Sequence, residues 1–246
     1  MLFASTIALA QEPAKKSSQP AFNQSQRTDI ERIVRDYLLK NPALIQEALK
    51  AQAEQERLLL SLKTKQAIQA NRSALLNNPN SPVGGNPKGD VTVVEFFDYR
   101  CGYCRQVSPV VAQLIAADPK VRVVYKDFPI LGPESVYGAR IALAARKQNK
   151  YSDVHTALMA TDTIDENAIA RIAAQLGLDG KRLRSDMEDT SIGKIIDENY
   201  QLASTLNING TPAFVVGDQM LPGATDLAGL LAFVSQERAR LKSQVK

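Results

Sequence analysis

The strongest constraint on what this chain can fold into is the stretch Val91-Thr92-Val93-Val94-Glu95-Phe96-Phe97, which leads through Asp98-Tyr99-Arg100 into Cys101-Gly102-Tyr103-Cys104. An apolar run of strand length suits a central parallel strand covered on both faces. The next segment carries Val107, Val110, Val111, Leu114 and Ile115 at helical spacing, so a helix is expected to begin at the cysteine pair. Cys101 stands where the strand has ended and that helix starts.

These are the only 2 cysteines in the chain. A bond between them would close a very short loop and stabilise the fold by only about 2 kcal/mol. Redox chemistry is a better reason for the pair. At a helix N-terminus, free N–H groups and the positive end of the helix dipole favour a thiolate, lowering a cysteine pKa below its ordinary value of about 8.5. Cys104, one turn on, is placed to attack a mixed disulfide formed at Cys101 and release the substrate. Cys101 is therefore the attacking thiol, Cys104 the resolving one, and their disulfide the only redox group expected. His155 would add just a third soft ligand, where structural zinc wants four. No metal site is expected, and Cu(I) on the two thiolates is the alternative.

At 246 residues and 44% hydrophobic content, the chain can form one large domain or two smaller ones. Its net charge is +4, but the basic residues are interspersed with Asp and Glu along helical stretches, which describes solvated helix faces and not a nucleic-acid surface. No run approaches the roughly 18 apolar residues of a spanning helix. Residues 1–10 end in Ala8-Leu9-Ala10 before Gln11-Glu12-Pro13 and read as a secretory leader with its cleavage site; the charged first segment of such a leader is missing, so the start is expected to be either truncated or mis-assigned. A leader implies an oxidising compartment, where a redox pair belongs. Residues 11–27, rich in Lys, Ser, Gln and Pro, read as disordered.

A capping box at Thr28 and Glu31 opens a helix carrying Ile30, Ile33, Val34, Tyr37 and Leu38, which must break at Asn41-Pro42. Pro42 then starts a second helix running to about Leu76. Residues 28–77 form more helix than a small domain needs to cover itself, and read as an oligomerisation region, dimer or trimer. Residues 78–88 are turn chemistry and read as a linker. Beyond Cys104, Val121–Lys126 is a second strand, parallel to the first. About 134–206 is a helical insertion, with a Thr163/Glu166 capping box on one of its helices. Ala213–Val216 and Met220-Leu221 are late strands, and Thr225 caps a final helix. His155 reads as a helix-surface or satisfied residue, and the sequon Asn209-Gly210-Thr211 as chance.

An acid six residues before the first cysteine, C-x-x-C at a helix start, a helical insertion and Thr211-Pro212 opening a late strand all occur in residues 89–246. Together they resemble the thioredoxin superfamily, and within it the DsbA-like periplasmic thiol-disulfide oxidoreductases. The resemblance implies an α/β thioredoxin fold with an inserted helical subdomain, here preceded by an α-helical extension. It implies that Thr211-Pro212 is a cis-proline loop that docks the backbone of a substrate peptide beside Gly102 and Tyr103. It makes Glu95, buried in an apolar run, the proton acceptor for Cys104, with Lys126 on the neighbouring strand its partner.

Gly102-Tyr103 stands where the strong oxidases of that branch have Pro-His and resembles the dipeptide of periplasmic disulfide isomerases. The N-terminal helices are similar to the oligomerising extensions of isomerase-like relatives, the suppressor-of-copper-sensitivity proteins included. The expectation is a periplasmic isomerase or reductase, a homo-oligomer acting on unfolded or misoxidised secreted proteins and served by a membrane redox partner. A dithiol oxidase is the alternative, and a Cu(I)-binding or chaperone-like protein a more distant one.

Overall fold

The computed structural model describes residues 22–244, and the proposed leader and most of the stretch read as disordered lie outside them. The chain divides into two compact units, residues 1–57 and 58–246.

In the first unit, α1 (Gln24–Lys40) starts earlier than the Thr28 box predicts. Asn23 is its N-cap, accepting the Gln26 N–H while the Gln26 side chain accepts the Asn23 N–H, each at 2.9 Å. An Asn-x-x-Gln box does the same work as Ser-x-x-Glu, so residues 24–27 are helical. As expected, α1 stops at Lys40 and α2 (Pro42–Ala70) restarts at the proline. Nothing in α1 is buried; Ile30, Val34, Leu38 and Leu39, with Ile45 of α2, line an open apolar depression.

The second unit takes in the end of α2. Asn71 interrupts the helix, its side chain donating to the Ala67 carbonyl at 2.8 Å, and α3 (Arg72–Leu76) follows. Ile68 and Leu75 are buried in the core, so this end of the helical region belongs to the second unit. The expected linker does too. Within it, β1 (Val83–Gly85) pairs antiparallel with β3 (Val121–Asp127), whose open edge gives even a three-residue strand a ladder to join. Turn residues alone did not reveal it.

β2 (Val91–Phe97) runs parallel to β3, joined by α4 (Gly102–Ala117). β4 (Ala213–Val216) lies antiparallel on the other side of β2, and β5 (Gln219–Pro222) pairs with β4 through a turn at Gly217. The order is β1-β3-β2-β4-β5, so the apolar run of β2 is central and parallel to one neighbour, as its composition predicts. Between β3 and β4 lie α5 (Pro133–Ala145), α6 (Tyr151–Met159), α7 (Glu166–Leu176), α8 (Gly180–Met187) and α9 (Thr190–Thr205). Two caps differ from expectation: Asp165, not Thr163, accepts the Ala168 N–H at the start of α7, and Asp226, not Thr225, accepts the Gly229 N–H at the start of α10 (Leu227–Gln244). In each case a carboxylate, the stronger acceptor, stands one or two residues after the threonine and takes the cap.

The sheet has a core on each face. One holds Val93, Phe97, Val123 and Phe214 against α4, α10 and the helices α5 to α8; the other holds Val94, Phe96, Val124 and Val215 against α3 and the end of α9. α9 buries Ile192, Ile195 and Ile196 in the first core and Leu202 and Ala203 in the second. No helix among the described residues is long and apolar enough to cross a membrane.

Candidate active site

Side-chain alternation along β2 places Glu95 on the face of Val93 and Phe97. Three residues then turn the chain into α4, and Asp98 holds that turn. Its carboxylate accepts the Arg100 N–H at 2.7 Å and the Leu131 N–H at 3.0 Å, and its carbonyl accepts the Cys101 N–H at 3.1 Å. Asp98 is 1% exposed. Sequence reasoning passed over it, although an Asp between a strand end and a helix start is a residue that bonds nearby backbone.

Cys101 is the N-cap of α4, and its sulfur accepts the Cys104 N–H at 3.4 Å. The same thiol donates to the Thr211 carbonyl at 3.2 Å. Both cysteines are free thiols and buried. Burial pushes the Cys104 thiol far above the ordinary cysteine range, with the Asp98 backbone acting the other way. The hydrogen bond to Thr211 sets the dipeptide read as a docking loop against the Cys101 sulfur, and the Thr211–Pro212 peptide bond is cis. Gly102 and Tyr103 stand at the exposed start of α4.

Glu95 is 1% exposed, and burial raises its carboxyl to about 8. Its neighbour on β3 is Tyr125; beyond this, Tyr99, Tyr151, Asp127 and His155 fill the same core. The Tyr99 hydroxyl lies 3.1 Å from His155 Nδ1 and Tyr151 donates to Asp127 at 3.1 Å. His155 is a buried residue and not a surface one; it stacks on Tyr151 and is boxed by Phe97 and Tyr125. Burial lowers its pKa to about 3, which keeps the ring neutral.

The expected partnership of Glu95 with Lys126 does not form. Lys126 pairs in register with Phe96, one residue beyond Glu95, and so points to the other face. There its ammonium donates to the Ala74 carbonyl at 2.8 Å and to Ser81 Oγ at 2.7 Å, tying α3 and the segment before β1 to the sheet. Burial lowers its pKa to about 8. Among the described residues no three His, Cys, Asp or Glu side chains gather as a metal-binding group.

Residues 92–235 match the DSBA-like thioredoxin domain, and residues 26–56 the copper resistance protein ScsC N-terminal domain. A thioredoxin-like oxidoreductase of Silicibacter pomeroyi is 48% identical and superposes with a TM-score of 0.67 over 69% of this chain and 98% of its own. The thiol:disulfide interchange protein DsbA of Bordetella pertussis is 29% identical over 69% of this chain and 86% of its own length. The Na(+)/H(+) antiporter NhaA 3 of Salinispora tropica is 31% identical over 62% of this chain, which spans 24% of that longer protein. With the matched domain running from β2 into α10 around the cysteine pair and the cis-proline, the chain belongs to the DsbA-like family of thiol-disulfide oxidoreductases.

Proposed function

We propose that the protein exchanges disulfides with secreted polypeptides in the periplasm, as an isomerase or reductase that works in a homo-oligomer. The observation that carries the reading is the Cys101 sulfur at the helix start, 3.2 Å from the carbonyl of Thr211 beside the cis-proline. Strand-edge groups of that loop are suited to an extended client backbone, which brings a client disulfide to the sulfur.

The Cys101 thiolate attacks one sulfur of the client disulfide, forming a mixed disulfide and expelling the other client sulfur as a thiolate. In isomerisation that freed thiolate attacks another client disulfide, and a client thiolate finally displaces Cys101, with no net electron transfer. In reduction Cys104 gives up its proton and attacks Cys101 Sγ. The client leaves with two thiols, and a Cys101–Cys104 disulfide remains for a membrane redox partner to reduce with two electrons. Glu95 is the group assigned to take the Cys104 proton: it lies on the core face that also holds Cys104, and its pKa of about 8 suits a proton acceptor.

Isomerase or reductase is favoured over oxidase by Gly102-Tyr103, which places no cationic ring between the cysteines, and by the first unit. Its uncovered Ile33, Val34, Tyr37 and Leu39, from 51% to 70% exposed, are suited to burial against further copies. Several active sites at high effective concentration on one client favour shuffling.

The test is a paired refolding assay, with a reduced and a scrambled disulfide substrate, on the wild type and a Val34→Glu/Leu38→Glu variant. Recovery from the scrambled substrate that falls at least about tenfold in the variant supports the reading. Oxidation of the reduced substrate alone, equal in both proteins, would make the protein an oxidase.

A further inference from the structure

Glu95 is 1% exposed, so any proton it exchanges with solvent must pass a neighbour. On the cysteine side, a client docked at Thr211 stands over the reacting sulfurs while exchange proceeds. A carboxyl raised to about 8 is protonated in about nine molecules of ten at pH 7, and must ionise before it can accept from Cys104.

Tyr125 leads from Glu95 to the other side of the molecule. On β3 it is the register partner of Glu95, and neighbouring strands lie about 4.8 Å apart. It also lines a cavity of about 500 Å³ between α4, β1 and α6, whose wall carries Arg105, Ser108, Ser152 and Thr156. Polar walls and that volume suit the cavity to water. The sheet order β1-β3-β2-β4-β5 puts it on the β1 side, and Thr211, just before β4, on the opposite side of Glu95.

The Tyr125 ring is held in place. Its centroid lies 4.7 Å from that of His155, and Phe97 meets it edge to face at 6.1 Å. β1 makes room for the ring with a glycine: a Cβ on Gly84 would fall 2.9 Å from Tyr125 Cε2 and 3.0 Å from its hydroxyl oxygen. Burial, and next the Glu95 carboxylate, raise the Tyr125 hydroxyl above its ordinary range, so it keeps its proton. The other titratable groups around it are engaged: the Tyr99 hydroxyl lies on His155, and Tyr151 donates to Asp127, a carboxyl raised to about 7. On α4, Arg105 binds the Met159 carbonyl and pairs with Asp162, and β1 contributes no titratable group.

We propose that Tyr125 relays protons between Glu95 and solvent in this cavity, on the side of the sheet away from the docked client. The proposal rests on the oxidoreductase reading, with Glu95 as acceptor for Cys104, and deepens it. In one relay the Tyr125 oxygen takes the Glu95 proton while its own proton passes to a water molecule. Glu95 is left as carboxylate, the water leaves as hydronium, and Tyr125 ends neutral as it began. Because it acts through Glu95, Tyr125 is a positioning residue.

The experiment is single-turnover reduction, by rapid quench from pH 6 to pH 9, of a synthetic peptide whose lone cysteine is disulfide-bonded to glutathione. Reduced protein forms the Cys101 mixed disulfide, and Cys104 then releases the bound thiol and closes the Cys101–Cys104 disulfide. In the wild type that release should be a single phase that quickens as Glu95 ionises. In Tyr125→Phe at pH 7, about a tenth of the molecules, those already ionised, should release quickly. The rest should follow in a phase at least about tenfold slower than wild type. At pH 9 the two proteins should agree within about twofold. Thr156→Trp, which fills the cavity from an exposed position on α6, should reproduce both phases.

A single phase at the wild-type rate at pH 7 in either variant overturns the relay. So does equal slowing at pH 7 and pH 9, which is what a structural role alone would give. A shifted midpoint of the Glu95 carboxyl infrared band in Tyr125→Phe would mean that the hydroxyl tunes Glu95 and relays nothing. Release that is unchanged in Glu95→Gln removes the acceptor assignment, and the relay with it. Failure of the wild type to reduce the peptide at any pH removes the oxidoreductase reading itself.

Discussion

Glu95 and Lys126 lie on neighbouring parallel strands with their side chains on opposite faces of the sheet: Glu95 stands beside Tyr125, and Lys126 beside Phe96. One residue of register separates a catalytic assignment from a structural one, because side chains alternate between faces. Lys126→Met leaves the Ala74 carbonyl and Ser81 Oγ without their donor, and should lower unfolding stability by about 1–3 kcal/mol. Urea denaturation measures this. Disulfide exchange in the same variant should stay within about twofold of wild type, and a loss of about a hundredfold would return Lys126 to the active site.

Glu95 predicts a pH dependence of stability. Its carboxyl is raised from 4.5 to about 8 in the folded protein, so between those values the unfolded state holds fewer protons than the folded one. Stability falls as pH rises through that window and levels off above about 8. Asp127, raised by burial from 3.8 to about 7, adds a fall of the same sign in an overlapping range. Glu95→Gln removes only the first contribution. Its stability relative to wild type should grow from pH 5 to pH 9 in urea melts; a constant difference would show that Glu95 titrates normally.

The same substitution bears on mechanism. Glu95→Gln cannot accept a proton, so release of the Cys101 mixed disulfide by Cys104 should slow by about 10²-fold or more at pH 7. Formation of that mixed disulfide should change much less. Rapid quench with mass detection separates the two steps, and equal slowing of both would count against the assignment.

Cys101→Ser should abolish exchange. Cys104→Ser should accumulate the client as a mixed disulfide on Cys101, visible on non-reducing gels and reversed by dithiothreitol. If the client is trapped by Cys101→Ser instead, the two roles are reversed.

Leu75 is 1% exposed and packs with Ile68, Val94 and Phe96. Leu75→Ala should therefore destabilise the second unit by about 2–5 kcal/mol in urea. A change under about 1 kcal/mol would mean that α3 is not part of that core. It follows that a truncation meant to isolate the redox unit should begin near Leu58, since cutting at Asn80 removes Leu75 and the Lys126 acceptor at Ala74.

The central strand, the helix after it and the place of Cys101 and Cys104 at that helix's start were legible because their signals are local: an apolar run, a C-x-x-C and a helical stripe lie within 25 consecutive residues, Val91 to Ile115. The break between Lys40 and Pro42 was legible for the same reason, since proline acts on the backbone beside it. The face of Lys126 was not. β3 is buried on both sides, and a strand without polar alternation does not say which way a charge points. β1 was hidden because three residues of turn-like composition become a strand only when the edge of β3 is there to pair with them.

What the sequence determined by itself was the chemistry, two thiols spaced one helical turn apart at the end of a buried strand. The tertiary structure decided what surrounds them. Thr211 reaches the Cys101 sulfur across 110 positions, and Leu131 reaches the Asp98 carboxylate across 33. Contacts at such separations depend on how the sheet orders its strands, and no local pattern of residues encodes that order.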